Sequence, residues 1–184
     1  MINYLDISYL AQGNCRQRFA HRVLCENLIL EVLEDYSPIV VGTIPIDIDI
    51  ASSDVDIICE VSDFKTFHIL MESNFSRFVS YNYEFDELKY VVNFSIEGLV
   101  LEIYAEDKPT PKQHAYLHMI IEERLLRILG KDFKKRIVEL KLQGYKTEPA
   151  FGILLSLDNP YTEMFDLINL TDEELFIKFS TFHF

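Results

Sequence analysis

The sequence predicts a mixed α/β protein, with a mixed sheet of about five strands within residues 38–105, a helix packed on it from the N-terminal side, and a helical portion after it. Three observations carry this. Within residues 38–105, apolar side chains recur at every second position in several short runs, the period of a strand with one buried face. Before Ser37-Pro38 and after Lys108 the apolar spacing changes to three and four, the period of a helix buried along one side. The chain has 184 residues, 49% hydrophobic and 13% aromatic, which excludes a disordered polymer and is enough for one sizeable core. The expected organisation is therefore an α/β core over residues 1–106 and a helical portion over 107–184, packed on the core as a single structural unit.

Taken in order, residues 15–35 read as the first helix. Phe19, Val23, Leu24, Leu28, Leu30 and Leu33 give a broad apolar face, with Arg16, Arg18 and Arg22 among them, and Ser37-Pro38 ends it. Those arginines are the densest basic cluster in the first hundred residues; a solvated helix face is the simpler reading, contact with substrate phosphates the other. Asp63 caps a helix through Phe64, Phe67, Ile69, Leu70 and Met71 to about Asn74. Residues 78–85 then alternate with Val79, Tyr81, Tyr83 and Phe85 on one face, and 89–96 with Tyr90, Val92, Phe94 and Ile96. The short Asp86-Glu87-Leu88 link makes them a hairpin. After Gly98 the strand 99–105 places Glu102 with Val100 and Tyr104, opposite Leu101 and Ile103.

Thr110-Pro111 reads as a cap with proline in the first helical turn, and Gly130 stops the helix that follows. His114, His118 and Glu122 share one face of it at four-residue spacing. A transition-metal site is one reading, since histidines on successive turns can chelate; a polar face turned to the cleft or to a partner is the other. Asp132 caps a further helix closed by Gly144. In Tyr145-Lys146-Thr147-Glu148-Pro149, Thr147 is the expected cap of the next helix, and Lys146 just before its N-terminus could help hold an anion. Thr171-Asp172-Glu173-Glu174 is a capping box for a last helix carrying Phe176, Phe179, Phe182 and Phe184. Aromatic side chains there must cover the sheet or enter a dimer interface.

The chemistry concentrates in residues 40–60, VVGTIPIDIDIASSDVDIICE. An apolar strand ending in Gly42-Thr43 lets a backbone approach a phosphate closely and offers N–H and hydroxyl donors. On the next strand Asp54 and Asp56 share a face, with Val55 and Ile57 opposite. Two carboxylates so placed, with no Lys or Arg near in sequence, suit a hard divalent cation such as magnesium; a solvated acidic strand face is the alternative.

Val41, Gly42, Thr43, Asp54, Val55 and Asp56 resemble the signature of the polymerase-β-like nucleotidyltransferase superfamily. That signature is an apolar residue, Gly and Gly or Ser, then about ten residues before Asp-x-Asp or Asp-x-Glu. The resemblance implies a nucleotidyltransferase-like fold and a third carboxylate on a later strand, at Glu102. It also implies a two-metal magnesium site on Asp54, Asp56 and Glu102 as catalytic residues, and a nucleoside triphosphate held by Gly42, Thr43 and Ser53, with Lys146 as a further candidate. More closely, the phrases GTIPIDIDIASSDVDIICEV and KTEPAFG are similar to a bacterial family of unknown function placed in that superfamily. The expected activity is transfer of a nucleotide to a small-molecule hydroxyl, less readily to a protein or RNA. The alternative is a catalytically inactive binding or regulatory protein of the same fold, antitoxin-like or a ligand sensor. Asp47 and Asp49 depart from the basic residues often found between the glycine and the aspartates. The cation for a triphosphate would then come from Lys146, Lys112, Arg124 or the metal.

A net charge of −13 and a pI near 4.7 disfavour a nucleic acid backbone as partner, because such binding needs clustered Lys and Arg. Cys15, Cys25 and Cys59 are odd in number and lack CxxC spacing, so neither a disulfide framework nor a cysteine zinc site is suggested. No apolar run approaches the roughly 18 residues of a membrane span. The N-terminus carries Asp6 and no basic run, unlike a signal peptide, so a soluble, cytoplasmic protein is expected.

Overall fold

The computed structural model describes residues 2–180, so Phe182 and Phe184 lie outside the described residues. It forms two compact units. One takes the chain up to Asp47 together with Ser53–Tyr116; the other takes Ile48–Ser52 together with the chain from Leu117 onward.

The first unit is a five-stranded mixed sheet in the order β1-β2-β5-β4-β3. Its strands are β1 (Ile39–Val41), β2 (Val55–Glu60), β3 (Val79–Phe85), β4 (Lys89–Ile96) and β5 (Leu99–Glu106). β2 and β5 run parallel at the centre, and every other pairing is antiparallel. Alternation along the strands separates two faces. Val55, Ile57 and Cys59 of β2, Leu101, Ile103 and Ala105 of β5, and Tyr90, Val92 and Phe94 of β4 are fully buried and form the core side. Helix α1 (Cys15–Glu26) adds Ala20, Val23 and Leu24 to this core, and α3 (Phe64–Phe75) adds Phe67, Met71 and Phe75. Each large apolar side chain so buried contributes roughly 1.5–3 kcal/mol in transfer free energy, which ties both helices to this face. Asp63 caps α3 as expected, accepting from the Lys65 and Thr66 amides at 3.0 and 3.2 Å.

The first helix is shorter than its apolar pattern predicts. It ends at Glu26, and after Leu28 in the left-handed region (φ 54°) a separate turn of helix, α2 (Ile29–Val32), begins. Asn27 stands at the break as the C-cap: its side-chain amide donates to Val23 O at 2.9 Å, alongside its own backbone N–H at 3.3 Å. The expected face of β3 is also corrected. Ser80 has φ 58°, and the register jumps from Val79↔Ser95 to Asn82↔Asn93, so a bulge lies between. The extra residue moves Val79 to the face opposite Tyr83 and Phe85.

The second unit is helical. Helix α4 (His114–Leu142), which starts in the first unit, is broken at Gly130 (φ 84°, ψ −166°), where the sequence placed a stop. It is followed by α5 (Thr147–Leu155), α6 (Pro160–Ile168) and α7 (Asp172–Phe179). The Thr171–Glu174 capping box forms as expected. Two expected caps do not. Thr147 is the first residue of α5 and Lys146 stands at the cap position without a side-chain cap bond. Thr110 instead donates from its hydroxyl to Ser37 O at 2.9 Å, in a short 3-10 turn before α4. Among the described residues no helix is long and apolar enough to cross a membrane.

Candidate functional site

The sheet face opposite the core carries a polar row. At one register level Val41 of β1 pairs with Asp56 of β2, Asp56 with Glu102 of β5, Glu102 with Asn93 of β4, and Asn93 with Asn82 of β3. Cα partners on neighbouring strands project to the same side, so the sheet itself sets Asp56 beside Glu102. Asp54, just before β2, is near enough to add its field to Glu102. The Glu102 carboxyl is held above its ordinary value by burial first and by the negative charge of Asp54 second. A hydrogen bond from Asn93 and the charge of Lys89 pull the other way. A half-buried carboxylate with an anionic neighbour is a position where a cation is stabilised.

Gly42 explains how Asp56 fits. A Cβ built at Gly42 would lie 2.0 Å from Asp56 Oδ2, so the carboxylate occupies the space that any side chain at 42 would need. Its φ of +81° also disfavours other residues. The sequence reading gave this glycine to a phosphate; the structure adds the carboxylate as a reason of its own.

The loop after Gly42 is latched by the first turn of α1. Asn14 and Gln17 form a capping box there. Gln17 Nε2 also donates to Ile44 O at 2.9 Å and Pro45 O at 3.2 Å, while the Asn14 amide donates to the exposed Asp47. Arg16 Nη2 donates to Ser53 O at 2.5 Å, and Arg16 Nε is buried without a hydrogen-bond partner. The Thr43 and Ser53 hydroxyls meet at 3.3 Å. Thr43, Ser53 and a guanidinium thus come together next to Asp54. Sequence spacing favoured a solvated helix face for Arg16. Its signal was the capping-box residues on either side, which fix the first turn of α1.

Of the other cations considered, Arg124 binds within the second unit, to Asp172 at 3.1 Å and to the Ile168 and Leu170 carbonyls at 3.0 and 2.5 Å. Lys112 and Lys146 are exposed, the latter at the start of α5. His114 is exposed at the first residue of α4. Among the described residues, side chains with metal-ligand atoms within 4.8 Å of one another are brought together in the second unit, at His118, Glu122 and Glu148. The helical spacing of His118 and Glu122 was legible; Glu148, on α5, was not paired with them.

Residues 22–167 match a family described as a domain of unknown function (DUF4269). No curated protein matches the sequence. Among solved structures, the chain is similar in fold to a cytoplasmic RNA terminal U-transferase, with a TM-score of 0.53 at 10% identity. The match covers 84% of this chain and 47% of that one, so the chain spans about half the length of the structure it resembles.

Proposed function

The chain belongs to the DUF4269 family, and from that premise we propose that it is a metal-dependent nucleotidyltransferase of the polymerase-β-like superfamily. Its reaction would transfer a nucleotide from a nucleoside triphosphate to a hydroxyl of a small molecule. The observation that carries this is the pairing of Asp56 with Glu102 on adjacent parallel strands, with Asp54 in electrostatic reach and Gly42 under the Asp56 carboxylate. The nucleotidyltransferase-like fold supports the same reading.

The donor chemistry suits magnesium: Asp56 and Glu102 are hard carboxylates at paired positions of one sheet face, Asp54 just before β2 acts on Glu102 through its charge, and Glu102 lies where a cation would relieve an unfavourable field. Magnesium bound there would neutralise phosphate charge and acidify the attacking hydroxyl. Gly42, Thr43 and Ser53 would supply N–H and hydroxyl donors to the triphosphate, and Arg16 the cation beside them. The acceptor oxygen attacks the α-phosphorus, the bond to the bridging oxygen of the β-phosphate breaks, pyrophosphate leaves, and the hydroxyl proton passes to water. The net charge of −13 favours a small acceptor over a polynucleotide. The solved neighbour is described as acting on RNA, and RNA is the next acceptor to test.

Calorimetric titration of each nucleoside triphosphate with magnesium, into the native protein and into Asp54→Asn/Asp56→Asn, tests the proposal. One triphosphate is expected to bind only when magnesium is present, and to lose that binding in the double variant. Failure of every triphosphate to bind the native protein would overturn the transferase reading in favour of an inactive, partner-binding member of the fold.

A further inference from the structure

We infer that His118, Glu122 and Glu148 form a binding site for one divalent transition-metal ion of the zinc class, separate from the carboxylate row. His118 and Glu122 stand one turn apart on the same face of α4, and Glu148 is in the first turn of α5, so the site joins two helices of one unit. Their ligand atoms all lie within 4.8 Å of one another. Tetrahedral coordination with bonds of about 2.0–2.2 Å spaces ligand atoms by roughly 3.3–3.6 Å, so closure needs movements of about 1.5 Å at most, within side-chain reach.

The chemistry selects the ion. A nitrogen and two carboxylates are a borderline set, suited to zinc, cobalt or iron rather than to magnesium or calcium, which take oxygen donors. Three protein ligands leave a fourth position for water or a small anion. Charge points the same way. Glu122 is only 4% exposed and Lys141, which acts on it electrostatically, 6%. Lys141 offsets one negative charge, while Glu122 and Glu148 carry two.

The test uses the full chain after removal of metal with a chelator. Zinc is expected to bind at one equivalent per chain and to raise Tm by about 5 °C or more at a hundredfold excess over Kd. Cobalt should give the visible absorption of a tetrahedral nitrogen–oxygen site. Glu148→Gln, at a partly exposed position that leaves the fold in place, should weaken zinc about tenfold or more, and His118→Ala further. Asp54→Asn/Asp56→Asn should leave zinc stoichiometry unchanged, so this site and the nucleotide site can fail independently. Absence of zinc binding in the native chain would overturn the assignment. So would binding that both Glu148→Gln and His118→Ala leave intact.

Discussion

The two clusters of carboxylates in this protein are built by opposite means. In the first unit, strand pairing sets Asp56 beside Glu102 on a half-buried sheet face, and every donor is a carboxylate oxygen. In the second, a helical turn sets His118 beside Glu122, and Glu148 arrives from another helix. A sheet face keeps its acids within reach of a mobile, charged ligand; the helix pair buries Glu122 and leaves Glu148 partly exposed. The first arrangement suits a substrate-binding cation, the second a resident one. One glycine from each unit draws the same line. Gly42 and Gly130 have almost the same φ, +81° and +84°, but a Cβ at 42 meets Asp56 Oδ2 at 2.0 Å and one at 130 meets nothing described within 4 Å.

The largest effect that could break this comparison comes from those two positions. Gly42→Ala and Gly130→Ala should each cost about 1–3 kcal/mol of stability in urea unfolding, because both require a backbone that alanine resists. Only Gly42→Ala should also abolish magnesium-dependent triphosphate binding, since it displaces Asp56. Equal loss of binding in both variants would mean that Asp56 is not set by the space over Gly42.

A smaller effect sharpens the role of the latch. Arg16→Gln removes the guanidinium held by Ser53 O, and triphosphate affinity should fall about tenfold, or ~1.4 kcal/mol, in calorimetry. Zinc affinity should not change. An unaltered triphosphate Kd would return Arg16 to a purely structural part in holding the loop.

What could be read in advance follows from how local each feature is. The polar face with Asp56 and Glu102 was legible because strand alternation has a fixed period and both strands are regular. Val79 was misplaced because a bulge at Ser80 adds one residue, and nothing in a run of alternating aromatics announces it. The break at Leu28 was hidden because the apolar spacing runs on through it, and nothing in that spacing announces a left-handed backbone at a leucine. Arg16 could be seen as basic, but its place beside Ser53 depends on contacts across 37 residues of sequence. Glu148 joins His118 and Glu122 only through the packing of α5, which no spacing encodes. Gly130, by contrast, ends a helix by local backbone chemistry and was visible at once.

The smallest effect concerns acid stability in the second unit. Asp172 is held below the ordinary carboxylate range by its hydrogen bond to Arg127, and further by Arg124. A carboxylate depressed in the folded state contributes stability above its unfolded pKa and loses it as pH falls through the folded value. The loss should therefore appear below about pH 4, where the unfolded chain takes up the proton first. The side chain is 46% exposed, so solvent screening limits the contribution to about 0.5 kcal/mol. Asp172→Asn should remove that slope from a stability–pH curve and leave the curve above pH 5 lower by about the same amount. An unchanged slope would show that Arg124 holds the chain ahead of α7 through the Ile168 and Leu170 carbonyls alone, with Asp172 only a bystander to those contacts.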